Sequence, residues 1–234
     1  MRLMTIFRAF TTATILIALP TLAGADVLVQ YELAGQPGTQ ASNPATFAAA
    51  GITGADLVRG PGLTGNAGAN SMNTAGWSTA ADDYIRFGFT VTSGAGFTIT
   101  DLVIATRSSA TGPGLMNVLY SVDGGAETLL TTLTQPNALF LDAALTLPSV
   151  AVSSSFAIIL RAANNTAANG SPIGTAGTFR VGDYSPDGGA TFQPITISGR
   201  PRAVPEPAGF VMLGIGLAAL VVIVRPSIAA RLAA

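Results

Sequence analysis

The stretch Tyr84-Ile85-Arg86-Phe87-Gly88-Phe89-Thr90-Val91 decides the fold class of this chain. From Ile85 onward its large apolar residues recur at every second position, and arginine, glycine and threonine occupy the positions between them. A period of two is typical of a β-strand that buries one face and exposes the other. The stretch therefore predicts a strand whose odd-numbered residues line a core.

Strand-like segments with turn signals between them recur on both sides of this stretch. They cover residues 27–33, 97–106, 116–122, 127–133, 139–147, 156–161, 177–181 and 193–198. Asp123-Gly124-Gly125 is the strongest hairpin signal, and residues 93–96 predict another hairpin, between segments 84–91 and 97–106. No segment between Asp26 and Ala203 has convincing helical periodicity. The pattern predicts an all-β chain, folded over residues 26–198 as an antiparallel, jelly-roll-like β-sandwich.

Two stretches fall outside this pattern. Residues 36–78 are rich in Gly, Asn, Thr and Ala, which predicts a long decorated loop over the sandwich, with a binding loop as the alternative. Residues 199–203, which contain Arg200-Pro201-Arg202, are interpreted as a linker between the sandwich and the C-terminal segment.

The composition excludes several kinds of chemistry. The chain contains no Cys, His or Lys, so it has no thiol nucleophile, no imidazole base and no Schiff-base amine. The ligand types that zinc and copper prefer are absent as well. Residues 26–203 carry 11 acidic residues and 7 arginines, a net charge of −4, and a mildly acidic domain argues against nucleic acid or an anionic membrane as a partner. These features predict a protein that is not an enzyme and needs no cofactor.

The N-terminus has the order of features of a secretory signal peptide over residues 1–25. Arg2 and Arg8 precede an apolar run over residues 9–22, and Ala23-Gly24-Ala25 follows. Small residues at Ala23 and Ala25 fit a signal peptidase site, which predicts Asp26 as the mature N-terminus.

The C-terminus contains a second apolar segment, residues 208–224, without any charge. A helix of that length covers roughly 25 Å, near the short end of what spans a bilayer. Arg225 and Arg231 follow the segment. They act as a membrane stop and stay cytoplasmic under the positive-inside rule, so the bulk of the chain is expected outside.

The residues Val204, Pro205, Glu206 and Pro207 lie directly before this segment, and the two prolines favour an extended backbone. Together with the apolar helix and the arginines, they resemble the PEP-CTERM sorting signal, residues 204–234 here. The resemblance implies a chain exported through the inner membrane of a Gram-negative-type bacterium that makes extracellular polysaccharide. It also implies an exosortase, a membrane-embedded transpeptidase-like enzyme, as the partner that cuts the tail. The protein would be anchored in the membrane transiently and end at the cell surface or in the biofilm matrix.

A calcium site is one interpretation of Asp183, Ser185 and Asp187, whose spacing is similar to the start of an EF-hand loop. The twelfth position of such a loop needs a glutamate, and here it is Pro194. The favoured interpretation is a hairpin turn between segments 177–181 and 193–198, because Asp-Gly-Gly is turn chemistry.

Three aromatic residues, Trp77, Tyr84 and Tyr120, are candidates for a platform that stacks against sugar rings. Aromatic residues of sandwiches usually fill or border the core, so core packing is the favoured interpretation.

Three functions remain open at this point. The first is a non-catalytic exported protein that the exosortase route delivers to the surface or matrix. The second is a carbohydrate-binding module for extracellular polysaccharide. The third is a carboxylate-dependent hydrolase, for which no residue pair is marked in the sequence.

Overall fold

The computed structural model describes residues 25–92, 94, 96–136, 139–183 and 192–202. These residues form fifteen β-strands and no helix. The strands are β1 (Asp26–Tyr31), β2 (Pro37–Gly38), β3 (Ser42–Asn43), β4 (Phe47–Ala48), β5 (Ile52–Arg59), β6 (Thr64–Gly65), β7 (Ser71–Ala75), β8 (Ile85–Val91), β9 (Phe97–Ser108), β10 (Leu115–Val122), β11 (Thr128–Thr134), β12 (Leu141–Val152), β13 (Ser155–Ala162), β14 (Thr178–Gly182) and β15 (Ile195–Pro201). The all-β prediction is confirmed for this part of the chain.

The strands form two sheets. The nine-stranded sheet has the order β2-β7-β14-β9-β15-β1-β4, with β12 paired to β9 and β6 paired to β7. The six-stranded sheet has the order β11-β10-β13-β8-β5-β3. The ladders are antiparallel except for the short one between β2 and β7. One cluster of buried side chains contains residues of both sheets, so the two sheets pack face to face as a β-sandwich.

Strand β8 is oriented as its sequence predicts. Ile85, Phe87 and Phe89 are at most 1% exposed and lie in the core, whereas Arg86 and Thr90 are exposed. Alternation along a strand places successive side chains on opposite faces, which explains this division. The face of β8 that carries Arg86 and Thr90 therefore points away from the core.

The predicted hairpin at Asp123-Gly124-Gly125 is confirmed. Strands β10 and β11 pair antiparallel on either side of it, and the amide of Gly125 donates to the carbonyl of Val122 at 2.8 Å. The φ angles of Asp123 and Gly124 are 52° and 73°. Two consecutive positive φ angles are typical of the turn that matches the twist of paired strands.

The hairpin predicted at residues 93–96 is wrong. Strand β8 belongs to the six-stranded sheet and β9 to the nine-stranded sheet, so the connection crosses from one sheet to the other. Two neighbouring segments with a period of two have the same pattern whether they pair or face each other, because either arrangement buries one side of each strand.

The predicted loop over residues 36–78 is also wrong, because strands β2 to β7 lie within it. All five residues of β7 are buried, although Ser71, Asn73 and Thr74 are polar. The side chain of Thr74 donates to the carbonyl of Phe179 on β14 at 2.9 Å. Polar residues in a buried strand give no apolar alternation, so the sequence pattern missed this strand.

Strands β14 and β15 do not form the predicted hairpin. Both run antiparallel to β9, and β14 pairs with residues 105–108 of β9 while β15 pairs with residues 97–103. Strand β12 occupies the opposite edge of β9, so β14 and β15 lie end to end along the same edge. The last strand also runs to Pro201, so residues 199–201 belong to the sheet, where the sequence predicted a linker.

The two predicted targeting segments lie almost entirely outside the described residues. Of the signal-peptide prediction, only Ala25 and Asp26 are described, and Asp26 begins β1 opposite Gly199 of β15. The sorting motif, the apolar segment 208–224 and the arginines Arg225 and Arg231 are not described. No helix that is long and apolar enough to cross a membrane occurs in the described ranges.

Candidate functional site on the six-stranded sheet

A shallow groove crosses the outer face of the six-stranded sheet. Its floor is formed where Gly88 of β8 lies opposite Ala157 of β13 on one side and Ala55 of β5 on the other. None of these residues has a side chain larger than a methyl group. Ser121 of β10 is the register partner of Ala157 and extends the row to a fourth strand. At roughly 4.8 Å per strand, the row is about 14 Å long.

Larger side chains border this floor on both sides. Arg86 is the register partner of Ile159 and Val58 and forms one wall. Thr90 is the register partner of Ser155 and forms the other. The depression between them has a volume of about 230 Å³ and is open to solvent. We refer to this feature, with its floor and both walls, as the groove.

Gly88 keeps the floor of the groove low. A Cβ atom at this position would lie 2.0 Å from the carbonyl oxygen of Phe156 and 2.8 Å from the Cα atom of Ala157. Both are backbone atoms of the neighbouring strand and cannot move aside without disturbing the ladder. The close approach of β8 and β13 therefore requires glycine here.

A β-bulge in β5 gives the groove its carboxylate. The register with β8 shifts between Ala55 and Val58, so that one extra residue of β5 is accommodated there. Bulges change the direction in which side chains point. Asp56 lies in the bulge, is exposed and lines the groove.

Tyr31 supports the groove from beneath. This residue belongs to β1 of the opposite sheet and is 0% exposed. Its hydroxyl accepts the amide of Gly88 at 3.0 Å and lies 2.7 Å from the carbonyl oxygens of both Ala55 and Gly88, to one of which it donates. Burial raises the pKa of this hydroxyl, so it stays protonated as a donor. The side chain thus satisfies backbone groups at the bulge from across the core.

A charged cluster lies on the same outer face. Arg161 forms two hydrogen bonds with Glu127, at 2.8 and 3.1 Å, and also donates to the carbonyl of Ala81. Its guanidinium lies 5.2 Å from the centre of the Tyr84 ring. The hydrogen bonds from Arg161 hold the pKa of Glu127 below its ordinary value, and the charge of Arg86 acts in the same direction. Arg86 itself has no carboxylate partner within 4.0 Å among the described residues.

Two of the three predicted sugar-contact residues pack in or against the core. Trp77 is 4% exposed, donates to the Thr74 hydroxyl at 2.9 Å and packs edge-to-face on Phe179. Tyr120 is half-buried and stacks on Phe156 at a ring separation of 6.3 Å. Only Tyr84 lies on the outer face of the six-stranded sheet, where Arg161 covers one side of its ring.

Asp183, the first residue of the predicted calcium site, is buried and 5% exposed. One carboxylate oxygen accepts the amides of Leu33 and Ala34, at 2.9 and 2.7 Å. The other oxygen has no hydrogen-bond partner in the described part of the chain. Burial raises the pKa of this carboxyl although the two amides oppose the rise. Ser185 and Asp187 lie outside the described residues, and the described ranges hold no group of three carboxylates near one another.

No protein-family model matches the chain, and no curated protein matches it. Among solved structures, the chain is similar to a carbohydrate-binding module of family 29 at 10% identity, with 75% of this chain and 90% of that one covered and a TM-score of 0.42. A variant of such a module in complex with cellulohexaose gives 10% identity, 74% and 91% coverage and a TM-score of 0.43. A variant in complex with mannohexaose gives 11% identity, with 75% of this chain and 93% of that one covered and a TM-score of 0.41. Similarity at this level carries no inference about what this chain binds.

Proposed function

We propose that this protein is an exported, non-catalytic surface protein that binds a polysaccharide chain in the groove. The observation that carries the proposal is the row of small residues across neighbouring strands between two walls of larger side chains. Such a row can accept an extended polymer that lies across the strands, because the floor residues have no side chain larger than that of serine.

The chemistry of the walls suits sugar hydroxyl groups. Arg86 supplies several donors, Asp56 supplies acceptor oxygens, and Thr90 and Ser155 lie on the opposite wall. Donors and acceptors placed around a partly apolar floor are typical of sites that fix the orientation of a small polar ligand. Val58 and the methyl group of Ala157 add apolar contact for the carbon-bound hydrogens of a sugar ring.

Binding is favoured over hydrolysis by the same set of residues. Glycoside hydrolysis uses two carboxylates on either side of the scissile bond. Asp56 is the one carboxylate among the described residues that line the groove. The residues present can hold a sugar by hydrogen bonds, and we propose no bond cleavage.

Export and sorting are the second part of the proposal and rest on the sequence. The signal peptide over residues 1–25, cut by signal peptidase before Asp26, and the sorting motif Val204-Pro205-Glu206-Pro207 support delivery to the cell surface or matrix through an exosortase. A polysaccharide-binding domain is a fitting cargo for such a route, because the resemblance implies a polysaccharide-producing host.

Glycan binding by the full chain tests the groove. The protein is kept in a polyoxyethylene detergent, which carries no sugar, and titrated with neutral and acidic oligosaccharides. Arg86→Gln and Asp56→Asn are expected to weaken binding about 10- to 100-fold, because each removes a hydrogen bond to a charged group. Arg200→Gln, an exposed arginine of β15 in the other sheet, is the matched control and is expected to bind as the wild type.

Ala157→Leu tests the groove by shape alone. The larger side chain fills the floor between the two walls without changing charge, so binding should be lost while thermal unfolding still shows a folded protein. If the three groove variants bind a glycan as tightly as the wild type, or if no glycan binds at all, the groove is not a polysaccharide site.

A further inference from the structure

The outer face of the nine-stranded sheet carries two arginines that lie directly opposite each other. Arg107 of β9 and Arg180 of β14 are register partners on neighbouring antiparallel strands. Their neighbours Thr106, Ser108, Phe179 and Val181 are buried, so both arginines point away from the core. Both are half-buried.

Like charges in this position repel each other. Directly opposed residues of an antiparallel pair have Cβ atoms about 5 Å apart, and two like charges there destabilise the sheet. Arginine cannot relieve the repulsion by losing its proton. Burial, and after it the charge of Arg107, lowers the pKa of Arg180, which shows that the positive charge is disfavoured here.

No carboxylate of the described chain offsets this repulsion. Neither guanidinium has a carboxylate oxygen within 4.0 Å among the described residues. The ion pair found in that part of the chain joins Arg161 and Glu127. Asp142 lies on the same face, opposite Ala105 and two residues along β9 from Arg107, yet it forms no ion pair with Arg107. Within 4.0 Å, neither positive charge is neutralised by a carboxylate of the described residues.

An aromatic ring lies beside both arginines. The guanidinium carbons of Arg107 and Arg180 are 5.7 and 5.3 Å from the centre of the Phe140 ring. The ring lies near Gly182, where an added Cβ atom would be 3.5 Å from it. Contact with an aromatic face stabilises a cation and fixes its position. Phe140 therefore holds the two guanidinium groups near each other despite their repulsion.

We propose that Arg107, Arg180 and Phe140 form an oxyanion-binding site, which takes a carboxylate or sulfate group. Two guanidinium groups beside one aromatic ring offer several N–H donors to the oxygens of such a group. A bound anion converts the repulsion between the arginines into attraction towards a shared partner. The site is on the opposite sheet from the groove and is independent of it.

The full chain in a polyoxyethylene detergent tests this site by thermal unfolding at constant ionic strength. Inorganic sulfate in place of chloride probes a free anion, and oligogalacturonate, with neutral oligogalactose as its counterpart, probes a carboxylate-bearing polysaccharide. The wild type is expected to gain thermal stability with sulfate, and with oligogalacturonate beyond any gain that oligogalactose gives through the groove, since a ligand that binds only the folded state stabilises it. A response to sulfate identifies a general oxyanion site, and a response to oligogalacturonate alone identifies a carboxylate polymer.

The double variant Arg107→Gln/Arg180→Gln should need at least about tenfold more anion for the same gain, because it lacks the charged donors. Without added anion it should unfold no earlier than the wild type, since the repulsion is gone. Arg200→Gln/Arg202→Gln, which also removes two exposed arginines, is the charge-matched control and should keep the full response. An identical anion response in the wild type and the double variant overturns the proposal, as does a wild type that responds to neither anion.

Discussion

At the scale of single residues, Tyr31 connects the core to the candidate site. The bulge in β5 interrupts the ladder with β8, and backbone groups at such an interruption need other partners. The Tyr31 hydroxyl accepts the amide of Gly88 and donates to the carbonyl of either Ala55 or Gly88. The strand arrangement that forms the floor of the groove therefore depends on a single oxygen atom from the opposite sheet.

Tyr31→Phe removes that oxygen and leaves the ring in place. We expect the free energy of unfolding to fall by about 1–3 kcal/mol, the cost of leaving buried backbone groups without a partner. Tyr120→Phe is the matched control, because Tyr120 is half-buried and no hydrogen bond of its hydroxyl is present in the described structure. Urea-induced unfolding measures both changes, and equal losses for the two variants would contradict the role assigned to Tyr31.

Two aspartates are expected to respond to pH with opposite sign. Burial raises the pKa of Asp183 above its ordinary value of 3.8. Its contribution to stability is therefore present below that value and is lost as the pH rises through the folded-state pKa. Burial also acts to raise the pKa of Asp123, but amide hydrogen bonds from Ser154, Ser155 and Ser153 outweigh it, so the pKa is lowered. Its contribution is present above its ordinary value and is lost as the pH falls.

Unfolding curves between about pH 3 and pH 7 check this prediction. Relative to Asp183→Asn, the wild type should lose stability as the pH rises across this range. Relative to Asp123→Asn, it should gain stability over the same range. The asparagine side chain that replaces Asp183 retains one oxygen to accept the Leu33 and Ala34 amides, so the comparison isolates the charge. Parallel pH profiles for both variants would show that one of the two assignments is incorrect.

At the scale of elements, the sequence pattern predicted which face of a strand is buried but not which strands pair with one another. The period of two in residues 84–91 was sufficient to place Arg86, Gly88 and Thr90 on one face and the phenylalanines on the other. The groove itself needs β5, β8 and β13 in register, and these strands are far apart in the chain. Asp56 and Ala157 had no sequence signal of their own, because a bulge and a strand pairing place them.

The strands within residues 36–78 were not predicted either, because their sequences show no apolar alternation. Strand β7 is buried through hydrogen bonds of polar residues, such as Asn73 to the carbonyl of Ala67 at 2.8 Å, and not through apolar alternation. The sequence also did not predict that β14 and β15 lie end to end along β9. The turn-favouring residues Asp187-Gly188 are compatible with any connection that returns the chain to the same sheet, so they do not specify which strands pair.

The end of β15 provides a prediction at this scale. Arg200 and Pro201 pair with Thr98 and Phe97, and the amide of Arg202 donates to the carbonyl of Gly96 at 2.8 Å. A chain that ends at Ser198 should therefore be less stable than one that ends at Arg202 by about 1–3 kcal/mol, the worth of a few backbone hydrogen bonds. Thermal and urea unfolding of the two truncated chains measure the difference. Equal stability would place residues 199–202 outside the fold.

At the scale of the whole molecule, the two candidate sites lie on opposite outer faces of one sandwich. The groove belongs to the six-stranded sheet and the arginine pair to the nine-stranded sheet, with a shared core between them. A polymer in the groove and an anionic group at the arginine pair would thus be held on different sides. A domain with this arrangement is suited to link two polysaccharide chains of an extracellular matrix, provided that the protein reaches that matrix.

Delivery is tested in a host that has an exosortase. Glu206→Ala changes the central residue of the sorting motif and should leave the tail uncut, so that the protein stays in the membrane fraction at the mass of the chain without its signal peptide. Deletion after Ala203 removes the motif and the apolar segment together, and the product should be released without processing. Glu32→Ala, an exposed glutamate of the sandwich, is the matched control and should be processed like the wild type. Mass spectrometry of the C-terminus and cell fractionation distinguish these results, and a Glu206→Ala protein that is cut and localised like the wild type would remove the exosortase from the proposal while leaving the groove to its own test.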